Sequence, residues 1–332
     1  MKRFAYFDNA KLLLIYLVVF GHMIQPFIES SQGMNTLYMW VYTFHMPAFI
    51  FLAGFFAKGS KTWQHFIHLG KKLLIPYIIF QVLYSTYFYF IGKSNWQTSL
   101  FYPHWSLWFL LSLLSWHILL HWFKRLPPAI GIFLSVQIGL TVGYIGDIGH
   151  MYSLSRTFVF FPFFLVGYWV TKDHVMFLKR HSVKILSLAM MAIIAVGIYI
   201  APEFNSGWLL ASKSYDDLGL PYLGGFARTF VYLTSAMMGL GFLAWVPTKR
   251  FIWTKLGERT LYVYLLHGFF IQFFREKGLF SAQSVFEVMG LAILSAIIVW
   301  LLSSRPIRMV SQPMIEGHMS ILRERWRESS VK

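Results

Sequence analysis

The feature that most constrains the fold is a series of apolar segments, each long enough to cross a lipid bilayer, which takes about 17–25 residues. Only 13% of the 332 residues are charged, whereas soluble domains carry about 25%. The sequence therefore predicts an all-α, polytopic membrane protein with about ten transmembrane helices. The ten predicted spans lie near 9–28, 36–57, 73–92, 105–123, 128–146, 155–171, 184–201, 226–246, 260–274 and 283–303.

The distribution of Lys and Arg predicts how these spans are oriented. If the chain starts in the cytoplasm and alternates, 23 of the 29 Lys and Arg residues fall in cytoplasmic segments, and six fall in the outer segments and spans. Such an excess is typical of cytoplasmic loops, so we predict that both termini are cytoplasmic. The formal net charge of +16 then reflects these loops and attraction to anionic membrane lipids or an anionic cofactor. We expect no nucleic acid partner.

The chain is expected to form one domain. It shows no short internal repeat, so we predict a single membrane domain over 1–332, with a core of about 6–305 and a basic cytoplasmic tail over 306–332. The longest outer loop, about 202–225, favours a solvated connector over a lid or part of an acceptor site. The chain has no cysteine, which excludes disulfides, thiolate catalysis and thiolate metal sites.

The first predicted helix carries Asp8, Lys11 and His22. Lys11 and His22 are eleven residues apart, so they share one helix face and lie about 16–17 Å apart along the axis. Lys11 is close enough to the helix end to reach the interface with its long side chain, and Asp8 then caps the helix or pairs with Lys11. An ionisable residue deep in a membrane is a functional hypothesis by default. His22 is therefore the first candidate for a functional residue.

Other polar and aromatic residues recur in the predicted spans. His45 precedes Pro47, and the proline frees backbone groups, so His45 is expected to line an aqueous pocket. Trp108 lies in HWSLWFLLSL, Arg156 in SRTFVFFPFFLVGY and His267 in LGERTLYVYLLHGFF. For Arg156, a side chain that reaches the membrane interface is an equally acceptable interpretation.

Five motifs occur in an order that resembles the acyltransferase 3 family of bacterial integral membrane acyltransferases, from about residue 6 to 305. The branch it resembles is the fucose 4-O-acetylase-like, polysaccharide O-acetylase group. The first motif is an acidic residue, a basic residue and, after ten intervening residues, a His; here these are Asp8, Lys11 and His22. The other four are FHMPAFIFLAGFF, SLWFLLSL, SRTFVFFPFFLVGY and LGERTLYVYLLHG.

The resemblance implies transfer of an acyl group, usually acetyl, from acyl-coenzyme A to a carbohydrate hydroxyl at the bacterial cytoplasmic membrane. His22 is then a general base or forms an acyl-histidine, and Asp8 orients Lys11 or a neighbouring group. The basic cytoplasmic face attracts the polyanionic acetyl-CoA, so we expect Lys11, Lys71 and Lys72 to bind it. The basic residue is often Arg in this family. Lys11 meets a phosphate as a point charge instead of a bidentate fork.

The acceptor implied by the resemblance is a carbohydrate or a lipid-linked carbohydrate. His45, Arg156, His267 and Trp108 are candidates for binding it or for stabilising the oxyanion. No metal is expected, because the 12 His residues include no HExxH-type spacing.

Two other classes of function remain as alternatives. A transporter or exporter of a polysaccharide or a lipid-linked sugar also has broken spans and buried histidines, but does not need Asp8, Lys11 and His22 in this arrangement. A membrane-embedded sensor or scaffold would need a soluble signalling domain. The longest predicted loop spans only about 202–225, which disfavours a sensor.

Overall fold

The computed structural model describes residues 4–59, 63–96, 99–146, 148, 151–201 and 204–317. All regular structure in these residues is α-helix or 3-10 helix, which confirms the predicted all-α class. The α-helices are α1 (Ala5–Ile24), α2 (Gln32–Phe56), α3 (Trp63–Phe90), α4 (Trp108–Phe123), α5 (Pro128–Val142), α6 (Leu154–Trp169), α7 (Lys172–Phe177), α8 (His181–Ile200), α9 (Gly207–Leu210), α10 (Gly224–Trp245), α11 (Thr260–Glu276), α12 (Val285–Leu302) and α13 (Arg305–Glu316). The 3-10 helices are Gln25–Phe27, Ala57–Gly59, Met151–Ser153 and Ile252–Glu258.

The predicted apolar spans coincide with α1–α6, α8 and α10–α12. Among the described residues, six helices are long and apolar enough to cross a membrane, namely α1, α2, α3, α8, α10 and α12. Helices α4, α5 and α6 are apolar but shorter, with 16, 15 and 16 residues. The chain is therefore a multi-pass membrane protein. The number of helices that cross the bilayer and the cytoplasmic position of both termini stay predictions.

The end of the bundle at which α1 begins is called the basic end here, and the end at which α1 stops is the far end. At the basic end, the Asn9 amide donates hydrogen bonds of 2.9 Å to the carbonyls of Pro247 and Lys249. The Thr254 hydroxyl donates to the Asn9 oxygen at 2.7 Å. These bonds dock the start of α1 onto the segment between α10 and α11, which carries the LGERT motif.

Helices α2 and α6 form the closest helix pair in the core. A Cβ atom on Gly54 would lie 1.9 Å from the carbonyl oxygen of Phe164, and one on Gly167 would lie 2.0 Å from that of Phe51. Small residues allow the backbones of membrane helices to approach in this way. The glycines of FHMPAFIFLAGFF and SRTFVFFPFFLVGY thus set how α2 and α6 pack.

The segment 99–107 folds back along α3 instead of passing directly to α4. The Gln81 amide donates to the carbonyls of Ser99 and Tyr102 at 2.7 and 2.8 Å, and its oxygen accepts from the His104 amide at 2.9 Å. The Tyr77 hydroxyl donates to the Leu100 carbonyl at 2.8 Å, and Tyr77 lies about 20 Å before the end of α3. Non-helical backbone in a membrane domain needs such internal partners.

The loop near 202–225 differs from the expected solvated connector. Its described part starts at residue 204, and it buries Trp208 and Tyr215, which are 2% and 1% exposed. The Ala211 carbonyl accepts a hydrogen bond from the Ser155 hydroxyl at 2.9 Å, at the far end of α6. In the same loop, the Ser214 hydroxyl and amide hold the pKa of the Asp217 carboxyl below its usual range. The loop is a packed cap over the far ends of α5 and α6.

The predicted tail over 306–332 is described only to residue 317, and 318–332 lie outside the described residues. Within it, α13 packs on α3 and α11, with Ile315 in the same apolar cluster as Leu73 and Tyr77. The start of the tail is therefore part of the bundle.

Candidate active site

His22 lies near the far end of α1 and is surrounded by side chains from three other segments. The Tyr42 hydroxyl of α2 is 3.1 Å from His22 Nδ1. The ring of Trp105 lies 4.4 Å from the imidazole, and the ring of His267 of α11 lies 5.6 Å away, measured between centroids. His22 is only half-buried, because its side chain faces two cavities.

The first of these, the basic-end cavity, has a volume of about 110 Å³. Its α1 wall consists of Ile15, Val18 and His22, which follow Lys11 at helical spacing on the same face. The opposite walls come from α2, the start of α4 and the first turn of α11. They are formed by Met46, Phe49, Ser106, Trp108, Phe109, Thr260, Leu261 and Tyr264. The Ser106 hydroxyl is buried there without a hydrogen-bond partner.

The second, the far-end cavity, has a volume of about 290 Å³. It lies where α1 gives way to the 3-10 helix Gln25–Phe27 and where α11 ends. Besides His22, the residues that matter for its chemistry are Gln25, Phe27, Phe274, Arg275 and Phe280. His22 is the residue that both cavities share.

A chain of hydrogen bonds holds His22 in place. Arg275 Nη2 donates to the carbonyl of His22 at 2.5 Å and to the side-chain oxygen of Gln25 at 2.9 Å. The Gln25 amide donates to the Tyr38 hydroxyl at 3.3 Å, and the rings of Tyr38 and Tyr42 stack at 3.9 Å. Because Tyr42 in turn contacts Nδ1, the main-chain and ring positions of His22 are both fixed from α2 and α11.

Trp105 has an unusual backbone conformation. Its φ angle is +37°, in the left-handed region that a bulky residue seldom adopts. The neighbouring hydrogen bonds impose it: the Tyr264 hydroxyl donates to the Ser106 carbonyl at 2.5 Å, and His104 Nε2 lies 2.7 Å from the Ser85 hydroxyl. Such strain persists only where the surroundings over-determine it. The result is an indole ring held against His22 and His267.

The hydrogen-bond donor and acceptor nitrogens of His267 and His45 can be assigned from their contacts. His267 Nδ1 lies 3.0 Å from the Val263 carbonyl and His45 Nδ1 lies 2.9 Å from the Val41 carbonyl. A carbonyl only accepts, so both Nδ1 atoms carry the proton and the neutral rings present Nε2 as an acceptor. His267 Nε2 is buried with no partner. His45 packs behind Tyr42, with ring centroids 4.5 Å apart, and lines neither cavity at His22.

Asp8 and Lys11 form an ion pair of 2.8 Å at the basic end. They do not touch His22 but share its helix face, as the spacing predicts. The Asp8 side chain is 5% exposed and that of Lys11 is 21% exposed. The Asp8 carbonyl also packs against Gly257, where a Cβ atom would lie 1.9 Å from the oxygen. The Lys11 side chain is therefore partly exposed, whereas that of its partner Asp8 is buried.

The remaining candidate residues divide into two groups. Trp108 lines the basic-end cavity, and the Arg156 guanidinium lies 5.1 Å above its ring while Nε donates to the Leu210 carbonyl. Lys71 and Lys72 are exposed on α3 and line neither cavity at His22. Within the described part of the chain, no group of three or more His, Asp or Glu side chains is arranged to hold a metal ion.

Sequence reasoning missed part of the site. Tyr42, Gln25 and Arg275 were not among the candidates, and Trp105 and Ser106 were noted only as part of a motif. One signal in the sequence could have indicated the segment around Trp105. Gln81 and Ser85 are two polar residues four apart in an apolar span, so that face of α3 needs a polar partner, and in the structure this partner is His104.

A family model described as an acyltransferase domain matches residues 4–304. The chain is similar to the nodulation protein NolL of Sinorhizobium fredii (strain NBRC 101917 / NGR234), with 24% identity over 292 residues that cover 79% of this chain and 76% of the relative. It is also similar to the nodulation protein NolL of Mesorhizobium japonicum (strain LMG 29417 / CECT 9101 / MAFF 303099), with 24% identity over 321 residues that cover 86% and 83%. No solved structure matches the chain.

Proposed function

Because this chain belongs to the acyltransferase 3 family, we propose that it moves an acetyl group from acetyl-CoA to a hydroxyl of a cell-surface carbohydrate or its lipid-linked precursor. The family was already indicated by the five sequence motifs, and the match over 4–304 confirms it. A transporter is disfavoured, since the chain is a member of an acyltransferase family.

The observation that carries this proposal is the position of the basic-end cavity. Its wall on α1 runs from Ile15 through Val18 to His22, and Lys11 lies one turn nearer the basic end on the same face. Apolar walls suit the slender pantetheine arm of coenzyme A. A thioester at the end of that arm would meet the imidazole at the end of the cavity.

The basic end is proposed to face the cytoplasm of a bacterial cell, which places both termini there. Acetyl-CoA is a cytoplasmic polyanion, and a basic surface raises its local concentration. Lys11 would meet a phosphate of the cofactor, held in place by Asp8 at 2.8 Å. Lys71 and Lys72 are exposed on α3, so their contribution is attraction at a distance.

The chemistry requires His22 Nε2 to be unprotonated. In the tautomer that this requires, Nδ1–H donates to the Tyr42 oxygen, which lies 3.1 Å away. Nε2 takes the proton of the acceptor hydroxyl as its oxygen attacks the thioester carbonyl. The tetrahedral intermediate collapses, the C–S bond breaks, and the CoA thiolate leaves and takes up the proton from the imidazolium. In the acyl-histidine variant, Nε2 itself attacks the thioester carbonyl, the C–S bond breaks and the CoA thiolate leaves. The acceptor hydroxyl then displaces Nε2 from the acyl group, and its proton goes to the thiolate.

The polar groups near His22 that lack a hydrogen-bond partner could stabilise the oxyanion and bind the acceptor. The buried Ser106 hydroxyl in the basic-end cavity would donate to the oxyanion of the intermediate. His267 Nε2 is an acceptor in the neutral ring, so we assign it to a hydroxyl of the acceptor instead of the oxyanion. Trp108 and Arg156 would form the wall beside the thioester, and His45 supports Tyr42 from behind.

The test uses detergent-purified protein with acetyl-CoA and a panel of oligosaccharide acceptors. Release of CoA and acetylation of an acceptor are expected for the wild type, and His22→Ala should lower kcat by at least about 10²-fold. Thermal unfolding of both proteins checks that the variant is folded. Absence of CoA release and of CoA binding in the wild type would overturn the proposal, and equal activity in both proteins would remove His22 from the mechanism.

A further inference from the structure

We propose that the acceptor is anionic, and that Arg275 binds its carboxylate or phosphate group in the far-end cavity. The inference rests on the proposed transfer reaction and names the chemical class of its acceptor. The acceptor hydroxyl would approach His22 from the far end while its charged group lies against Arg275.

The position of Arg275 is fixed with respect to His22. Its Nη2 donates to the His22 carbonyl at 2.5 Å and to the Gln25 side-chain oxygen at 2.9 Å. The guanidinium also lies 5.7 Å from the Trp105 ring centroid. A ligand group bound to this arginine would therefore lie close to His22, the residue that would activate the acceptor hydroxyl.

The charge of Arg275 has no counter-ion among the described residues. The acidic residue next to it, Glu276, lies 3.9 Å from the ammonium of Lys93. The ionisable groups that face Arg275 among the described residues are the hydroxyls of Tyr38 and Tyr42, the imidazoles of His22 and His267 and the ammonium of Lys93, with no carboxylate. A cation in a membrane domain costs free energy unless it is paired or reaches water, so the structure leaves this charge to be balanced by a ligand.

The hydrogen-bonding capacity of Arg275 is only partly used. Its Nε–H is buried without a partner, as is the amide nitrogen of the neighbouring Gln272. Hydrogen bonds from a guanidinium to a carboxylate or a phosphate are charge-assisted and stronger than those between neutral groups. Since the protein engages Nη2, the remaining donors are free for an oxygen anion.

The far-end cavity can hold a sugar residue beside this arginine. Its volume is about 290 Å³, and its walls include Phe27, Phe274 and Phe280. Aromatic faces pack against the C–H faces of pyranose rings, while Gln25 and His22 offer hydrogen bonds to hydroxyls. One space thus combines apolar ring faces, hydrogen-bonding groups and an unbalanced positive charge.

Another arginine whose Nε is buried without a partner provides a matched control. Arg228 of α10 is 2% exposed, and its Nη1 donates to the Trp208 carbonyl at 2.6 Å. Its Nε is also buried without a partner. However, Arg228 lines neither cavity at His22, so it has no access to an acceptor.

The experiment compares charged and neutral acceptors of the same length. One pair is a glucuronic acid-containing oligosaccharide and its carboxyl-reduced counterpart; the other is an oligo(glycerol phosphate) and a neutral oligoglycerol. We expect the wild type to favour the anionic member of at least one pair by about 30- to 100-fold in kcat/KM. The pair that shows the preference identifies carboxylate or phosphate as the ligand. Arg275→Gln should reduce the ratio to near 1, Arg275→Lys should retain part of it, and Arg228→Gln should leave it unchanged.

Thermal unfolding provides a readout that does not depend on turnover. The anionic acceptor should raise the Tm of the wild type more than the neutral one, and Arg275→Gln should remove the difference. Equal rates and equal Tm shifts for both members of both pairs would overturn the anionic acceptor while leaving acetyl transfer intact. A rate lowered by the same factor for all acceptors in Arg275→Gln would also overturn it. A selective Tm shift without acetylation would support the anion site and refute the transfer reaction.

Discussion

The two cavities that meet at His22 differ in size and in the side chains that line them. The basic-end cavity, about 110 Å³, has walls of Ile15, Val18 and aromatic rings and includes the Ser106 hydroxyl. The far-end cavity, about 290 Å³, includes the polar side chains of Gln25 and Arg275. The first suits an extended apolar arm with a reactive end, and the second suits a hydrated, charged ring. One imidazole that faces two such spaces can join two substrates that enter separately.

The difference follows from what happens to the chain at His22. Up to this residue α1 is a regular helix with apolar residues toward the cavity, and at Gln25 it gives way to a short 3-10 helix. On the far side, α11 ends close by at Glu276. Where two helices end, polar side chains such as Gln25 and Arg275 replace apolar ones, because helix termini leave backbone groups that need partners.

The largest effect is expected at Trp105, whose ring packs against the imidazole that both cavities share. Trp105→Ala would remove the ring that lies 4.4 Å from the His22 imidazole and give the imidazole room to tilt away from its contact with Tyr42. We expect kcat to fall about 10²-fold, since misplacement of a catalytic group by about 1 Å has costs of this size. Trp105→Phe should retain most of the activity, and unchanged kcat in the Ala variant would show that the ring only fills space.

A substitution in α11 should displace the Trp105 ring without removing it. A Cβ atom on Gly268 would lie 2.6 Å from the Trp105 ring and 2.3 Å from the Tyr84 hydroxyl. Gly268→Ala should therefore displace Trp105 and lower kcat in the same direction, without removing the ring.

The second effect concerns the basic-end cavity alone. Val18→Phe would fill much of a space of about 110 Å³, so the KM for acetyl-CoA should rise about 10- to 30-fold while the KM for the acceptor stays within twofold. Leu13→Phe is the control, because Leu13 lies on the same helix and is 37% exposed. A parallel rise of both KM values would contradict the assignment of separate cavities to separate substrates.

A third prediction tests whether Lys11 contributes to binding of acetyl-CoA without contributing to the chemical step. Lys11→Gln should raise the KM for acetyl-CoA about tenfold and leave kcat unchanged, because one charge–phosphate contact is lost far from His22. Lys11→Arg should preserve or lower the KM. Removing Lys11 also takes an ion-pair partner away from the buried Asp8, so the unfolding temperature of each variant must accompany the kinetics. A fall in kcat with constant KM would place Lys11 in the chemical step.

The smallest effect is expected for Lys71 and Lys72. Both side chains are exposed, so Lys71→Gln and Lys72→Gln should raise the KM for acetyl-CoA only about two- to threefold at low ionic strength. The change should disappear near 1 M salt, where screening acts within about 3 Å. A larger, salt-resistant change would mean that the cofactor contacts α3 directly.

Much of the helical layout could be predicted from the sequence, and the reason is local. Apolar runs of sufficient length fold into helices wherever they occur, so the ten predicted spans coincide with ten helices. The shared face of Lys11 and His22 also follows from the helical period alone. His267 and Trp108 could be named as candidates because they are polar or aromatic residues in apolar spans with recurring motifs.

The tertiary structure alone decided which of these residues meet. Trp105 adopts a left-handed backbone only because α3 and α11 hold the segment around it, and no local pattern encodes that angle. In the sequence, Arg275 is recognisable only as a charged residue near the end of a span. Its position beside His22 cannot be predicted, because the carbonyl that it contacts is 253 positions away in the chain. Sequence fixes periodicity within one helix, whereas the approach of different helices depends on packing among all of them. The sequence by itself thus determined the helices and the face on which His22 lies, and packing determined the two cavities that meet there.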